Sequence, residues 1–348
     1  MNPQMHKRIS VGWNGRVESL AVLAEHRQAI AEVYFAPPGI PSGRNNSATR
    51  APEYAEHLET LLQELAALDI RGNLLLNGLC AGEWTGSRAW ARQAVATVAR
   101  YREDGVNDVS CASVTDLLLL RHEFPQLTLH ASVNLFIDTV EKSAQLRHVC
   151  DVITLDRSLN YDLERMAAIR QAAPQRLKLL VNEGCLAGCV HRVQHFNALA
   201  HNRNLQTAYC KFLFARSPQL ILQTPFIRPE DLPHYFSRVD GFKLATRDVR
   251  SAEHLDLLLR AYSDCRYAGN LFDLVSSDGI AAVAALGIPL YLPNAEIPAD
   301  FFQRRVAERG RWLPEDPIRP EMVFRKRRSS RVAKPGPRED LPDCHDPT

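Results

Sequence analysis

Several features are scarce or missing in this chain, and each absence closes off a class of function. No apolar run is long enough to cross a bilayer. The longest, around residues 280–292, falls short of the roughly 20 residues a spanning helix needs and contains Pro289. The first fifteen residues, MNPQMHKRISVGWNG, lack the apolar core of a secretion signal. Neither sign of charge dominates: 42 Lys and Arg face 40 Asp and Glu, so the molecule as a whole carries no polyanion-binding signature. His-Glu-x-x-His, the helical zinc motif of many metallopeptidases, is absent. So is the Gly-x-Ser-x-Gly elbow of serine hydrolases. No Gly-x-Gly-x-x-Gly follows the first predicted strand, which speaks against a dinucleotide-binding open sheet. The eight cysteines show none of the compact spacing of a small secreted disulfide scaffold. These absences together lead to the expectation of a soluble, cytoplasmic protein with reduced thiols and no membrane partner.

What is present is alternation. Strand-like apolar runs are predicted over 8–13, 31–35, 73–79, 106–111, 127–131, 152–155, 177–181 and 241–245. Helical patterns lie between them. The clearest places Tyr54, Leu58, Leu61, Leu62, Leu65 and Leu68 on one stripe with a period near 3.6. Ser87 stands as the N-cap of the next helix, 87–102. Arg228-Pro229-Glu230-Asp231 reads as a helix start, with proline in the first turn and acids near its positive end. Eight strands, each followed by a helical segment, predict an α/β fold of the (β/α)8 TIM-barrel type over 1–310, with a doubly wound sheet as the alternative. An excursion at 183–224 breaks the rhythm, and a loop of that length is usually functional. Residues 311–348 read as a basic, disordered tail, with seven Lys or Arg against four acids over 325–348.

The excursion opens with the chain's densest chemistry, LKLLVNEGCLAGCVHRVQHFN over 177–197. Cys185 and Cys189 sit just past a strand, and Gly184 and Gly188 free the backbone to wrap around an ion. Cys210 follows, and Cys80 lies past strand three. Barrels gather their sites at the C-terminal ends of their strands, so closure would bring Cys80, Cys185, Cys189 and Cys210 to one rim. Cys111, ending strand four, is the reserve fourth ligand. Four thiolates suit a 4Fe-4S cluster or a tetrahedral zinc, and the scatter of these ligands along the chain favours the cluster. The plain alternative is that cysteines fill core, and Cys150 and Cys265 are read that way. The same rim would carry Asp156 and Arg157 after strand six, Arg192 and His195 beyond the thiol pair, and Lys243 and Arg247 at strand eight. Asp156, Arg192, His195, Lys243 and Arg247 are therefore the candidate catalytic residues. The cations would hold an anionic small-molecule substrate or oxygen donor, and each reads also as a surface charge or a strand-end ion pair. His191 and His195 are alternatives as caps or as a replacement thiolate. Arg192 stands where the third cysteine of a radical adenosylmethionine motif would be, which argues against that class.

The run NEGCLAGCVHRVQHFN, followed by Cys210 and by IRPEDLPHYFSRVDGFKLATRDVRSAEHLDLLLRAY, resembles the peptidase U32 family, also called collagenase-like. The resemblance covers about residues 8–270 and is most specific over 177–262. It implies a barrel carrying a four-cysteine 4Fe-4S cluster. It further implies oxygen-independent hydroxylation, which in such proteins acts on ubiquinone precursors, transfer-RNA uridine or ribosomal RNA, with prephenate as oxygen donor in some. A second family subunit and RNA are the partners it suggests. The alternatives are a U32-type peptidase or hydrolase, or a metal-stabilised binding subunit. The cysteine spacing departs from that of better-known members. The family's KIEGR-like element reads Lys243-Leu244-Ala245-Thr246-Arg247 here, without the acid.

Overall fold

The computed structural model describes residues 1–43, 51–82, 85–201, 209–249, 251–276, 280, 281, 284, 287 and 290–310. The basic tail expected over 311–348 lies outside the described residues. The chain closes into a barrel of eight parallel strands in sequential order. These are β1 Ile9–Gly12, β2 Ile30–Phe35, β3 Arg71–Leu76, β4 Asp108–Cys111, β5 Thr128–Ala131, β6 Val152–Thr154, β7 Arg176–Leu180 and β8 Gly241–Leu244. β8 pairs back onto β1, with Ser10 opposite Lys243. Helices α1 Ser19–Glu25, α2 Tyr54–Ala67, α3 Arg88–Glu103, α4 Val114–Glu123, α5 Val140–Gln145 and α6 Leu163–Ala172 follow the first six strands in turn. The barrel reading of the sequence is thus the observed fold.

Local chemistry accounts for these elements. The α2 stripe buries Tyr54, Leu58, Leu61, Leu62 and Leu65 against the sheet, each stabilising by about 1.5–3 kcal/mol. Ser87 caps α3 by accepting the Trp90 N–H at 3.1 Å. The segment after Arg228 is a 3-10 turn, Pro229–Tyr235, rather than an α-helix, because Pro233 sits inside it and cannot donate. The excursion is mostly helical where described: α7 Arg192–Ala200, α8 Tyr209–Arg216 and a 3-10 turn Pro218–Gln223. Its polar composition hides a narrow apolar face, Phe196 and Ala200 four residues apart, which α7 buries. After β8 comes α9 Ala252–Asp264, capped by Ser251.

Two side chains tie the C-terminal rim together. Thr246 Oγ1 accepts the Gly12 N–H at 2.7 Å and donates to the Gly12 carbonyl at 2.9 Å, joining the ends of β8 and β1. Asn182, fully buried past β7, accepts the Ala245 N–H at 2.6 Å and donates to the carbonyls of Ala245 and Leu274. Backbone bonds Ser276 N–H to Asn182 O and Gly184 N–H to Ser276 O, both 2.8 Å, extend the same junction. Asn182→Ala leaves three backbone groups, those of Ala245 half-buried and that of Leu274 buried, without this partner. It is expected to cost about 2–3 kcal/mol, read as a lower urea midpoint with an unchanged slope.

The barrel interior is polar where barrels of this kind usually carry branched apolar side chains. Lys178 of β7 reaches across to Glu32 of β2 at 2.8 Å and to Ser10 of β1 at 3.2 Å. His130 Nε2 lies 2.8 Å from Asp108 Oδ1, and Asn73 Nδ2 lies 3.3 Å from His130 Nδ1. Ser110 donates to Asn73 at 2.9 Å. Every one of these residues is buried.

Candidate functional site

Above this polar layer the strand ends enclose a cavity of about 50 Å³. Tyr34, Asn77, Asn134, Glu183, Lys243 and Arg247 are among the residues that line it, with Phe196 of α7 beside them. Gly12 makes the crossing of two of these side chains possible. A Cβ there would lie 2.8 Å from both the Arg247 stem and the Tyr34 ring, closer than real contacts allow. Arg247 Nη1 donates to Ser42 at 2.9 Å. Tyr34 donates to the Leu244 carbonyl, which fixes its ring under Lys243 Nζ, 3.7 Å from the ring centroid.

The charged groups differ sharply in state. Burial alone would raise the Glu32 pKa, but the charge and hydrogen bond of Lys178, with Lys243 beyond it, outweigh it and hold the carboxyl below its ordinary range. Burial pushes the His130 imidazole below its ordinary pKa, so the ring is neutral. With Nδ1 accepting from the Asn73 amide, the proton sits on Nε2 and points at Asp108. The 4.0 Å approach of Nδ1 to Glu32 is therefore no ion pair. Lys243 is pushed down to about 7, by burial first and then by repulsion from Lys178 and Arg247, against the attraction of Glu32.

Of the sequence candidates, Lys243 and Arg247 meet in the cavity wall. Asp156 does not face it. Asp156 Oδ1 caps the 3-10 turn Arg157–Leu159 by accepting the Ser158 N–H at 2.8 Å, and its other oxygen lies 3.5 Å from Arg192. Arg192 also donates to the Leu186 carbonyl at 3.4 Å, clasping the cysteine loop. His195 lies half-buried on α7 with its ring 5.9 Å from that of Phe196. His191 holds the N-cap position of α7 without a capping side-chain bond.

Arg157 is the cation the sequence undervalued. It pairs with Glu183 through Nε, packs 5.2 Å from the centroid of Phe196 and lies 4.0 Å from Asp156. Burial would lower its pKa, but the charges of Glu183, Cys185 and Asp156 raise it, so it stays a cation. Arg157 thereby links the cavity wall to the thiol loop.

Cys80 follows β3, Cys185 and Cys189 lie between β7 and α7, and Cys210 lies on α8. Cys80, Cys185, Cys189 and Cys210 are all half-buried and none is in a disulfide. Cys80 Sγ accepts the Gly82 N–H at 3.3 Å and touches Thr85 Oγ1 at 3.7 Å. Gly82 abuts His201, at the end of α7, whereas Cys189 precedes the start of α7. Among the described residues, no three of these sulfurs lie within 4.8 Å of one another. A single zinc with bonds of about 2.3 Å demands tighter packing, so the loops do not form a ready-made zinc site. A polynuclear cluster binds each thiolate to a different metal and spaces them more widely. Cys185, Cys189 and Cys210 have the donor type and partial exposure such a group takes, whereas Cys80 stands toward the other end of α7. Cys111 drops out as reserve ligand. It is fully buried and its thiol pKa is pushed well up by burial, so it serves as core. Cys150 is core likewise, pushed up to about 12.

A group that sequence reasoning missed can also hold a cation in principle: Glu32, Asp108 and His130 offer ligand atoms within 4.8 Å of one another. Lys178 and Arg71, at 2.8 and 2.7 Å from the two carboxylates, already balance their charge. The signal in the sequence was charged residues inside short strands, Glu32 in IAEVYF and Lys178 in RLKLL. No helix among the described residues is long and apolar enough to cross a membrane.

No protein-family model matches the chain. It is 38% identical over 131 residues to the uncharacterized protease MJ1657 of Methanocaldococcus jannaschii, a match covering 35% of this chain and 39% of that protein. The chain therefore spans about two-fifths of the curated relative it matches. Among solved structures, the U32 peptidase Mk0906 superposes with a TM-score of 0.53 at 19% identity, over 69% of this chain and 92% of that one. This likeness shows a shared barrel fold. A tryptophan synthase α-subunit mutant from Pyrococcus furiosus, at TM-score 0.39, 7% identity and coverage of 81% and 99%, adds no argument.

Proposed function

We propose that the chain is a U32-type iron–sulfur protein that works as an oxygen-independent hydroxylase on a small anionic substrate at the barrel mouth. Kinship with U32 proteins draws on the two matches that carry peptidase names. The observation that carries the chemical reading is Arg157, a buried cation that faces both the cavity and Cys185. One charged wall is then shared by the site for an anion and by the thiol loop. Cys185, Cys189 and Cys210, with Cys80 as the fourth, would hold the cluster, which would supply electron transfer. Arg247 and Arg157 would hold the substrate's anionic group. Phe196 and α7 would keep bulk water from the mouth.

A peptidase reading rests on the relatives' names. Against it, the residues that line the mouth include no nucleophile–histidine pair among the described residues. Anaerobic purification with iron and acid-labile sulfide analysis tests the proposal. Cys185→Ser and Cys189→Ser are expected to lose most of the bound iron, while Cys265→Ser keeps it. A colourless protein with stoichiometric zinc, or peptide cleavage that persists without iron, defeats the hydroxylase reading.

A further inference from the structure

We infer that Lys243 is a nucleophilic amine that forms an imine with a small carbonyl acid, of the 2-oxo acid class, seated in the mouth with its carboxylate on Arg247. The geometry comes first. Lys243 is the penultimate residue of β8, is 9% exposed and lines the cavity. Its amine rests on the Tyr34 ring and has no hydrogen bond or ion pair with any described residue. The other interior lysine, Lys178, has taken the available carboxylate, Glu32 at 2.8 Å. A lysine buried for packing or charge balance would be paired as Lys178 is. This one is bare at the reactive end of a barrel.

The electrostatics agree. Glu32 and Tyr34 face the amine from β2, Lys178 from β7, and Arg157, Glu183, Arg247 and Asp248 from the rim. Burial and the cations among them leave about half of the Lys243 amine unprotonated near pH 7. An exposed lysine, with a pKa of about 10.4, holds a fraction roughly a thousandfold smaller. The free amine is the reacting form.

The step balances without a redox partner. The amine nitrogen bonds to the carbonyl carbon, giving a carbinolamine. The carbonyl oxygen then leaves as water with the two amine protons, and a C=N bond remains. The cavity holds about four waters at roughly 10–15 Å³ each, which suits an acid of two or three carbons.

The inference rests on the mouth being the reactive site and needs no iron. The test uses the full chain, incubated with pyruvate or glyoxylate and sodium borohydride, which reduces an imine to a stable secondary amine. Peptide mapping by mass spectrometry is expected to find one saturable adduct, on Lys243, formed half-maximally near pH 7. Lys243→Arg, which keeps a cation, is expected to abolish it with an unchanged circular dichroism spectrum. Arg247→Gln is expected to weaken the apparent affinity for pyruvate about tenfold or more, and to alter labelling by acetaldehyde only by moving its pH midpoint upward. Adducts spread over surface lysines at equal rates in wild type and Lys243→Arg overturn the inference. So does labelling that rises only through pH 10. Trapping at Lys243 in a protein that binds no iron upholds this inference while removing the cluster. A brown iron protein without Lys243 labelling does the reverse.

Discussion

Glutamine in place of Glu32 is expected to cost the protein about 3–5 kcal/mol, read from urea unfolding followed by circular dichroism. Glu32 is 1% exposed and faces Lys178, itself 5% exposed. Forming such a pair gains little, because both charges are taken out of water. Breaking it is expensive, because the surviving ammonium stays buried without a counter-charge. The same logic predicts that Glu32→Gln combined with Lys178→Met recovers most of the loss. If both single variants cost less than about 1 kcal/mol, the pair is not an organising contact of the barrel. The pH dependence has a definite sign. The Glu32 carboxyl is held below its ordinary 4.5 in the folded state, so its contribution is full above pH 4.5 and fades as pH falls below that value. Wild type should therefore lose stability in acid more steeply than Glu32→Gln.

Methionine in place of Lys243 is expected to do the opposite, raising stability at pH 7 by about 2–5 kcal/mol. The amine's pKa falls from 10.5 to about 7 on folding, because burial and the neighbouring cations disfavour its charge. Every tenfold change in a protonation equilibrium is worth about 1.4 kcal/mol. Between pH 7 and 10.5 the unfolded chain binds more protons than the folded one, so wild-type stability rises with pH across that window. The advantage of methionine is accordingly full below about pH 7 and gone near 10.5. A residue that lowers stability, and whose removal abolishes imine trapping, has the trade-off expected of a functional group held in a hostile place. A variant less stable than wild type at pH 7 would show that the amine has a counter-group holding it.

The thiol loop is the third element of this picture. Gly184 continues the junction made by Asn182, so Cys185 emerges from a backbone pinned on both sides by Ser276. Arg192 then clasps Leu186 and ties the loop to Asp156. Under the proposed cluster, such tethering would hold the ligands in one geometry.

Much of the architecture was legible in the residues alone. Periods of two and 3.6 depend on local backbone geometry, so strands such as RISVGW and the α2 stripe declared themselves. Caps did too, because Ser87 and Ser251 bond within three residues of themselves. The excursion misled because Gly, Cys and His make it look irregular, while the burial of Phe196 and Ala200 that makes α7 a helix comes from elsewhere in the fold.

What the linear order determined, then, was the ring of eight strands, the rim where its polar ends collect, and Lys243 and Arg247 as members of that rim. Only the tertiary structure decided their states. Alternation tells which face of a strand a charge lies on, not whether that face looks at water or at seven other strands. Closure turned Glu32, Asp108, His130 and Lys178 inward, and matched Glu32 with a lysine 146 residues away rather than with Lys243. The protonation state of Lys243 follows from that choice of partner, which is a fact of distance in space and of a low-dielectric interior.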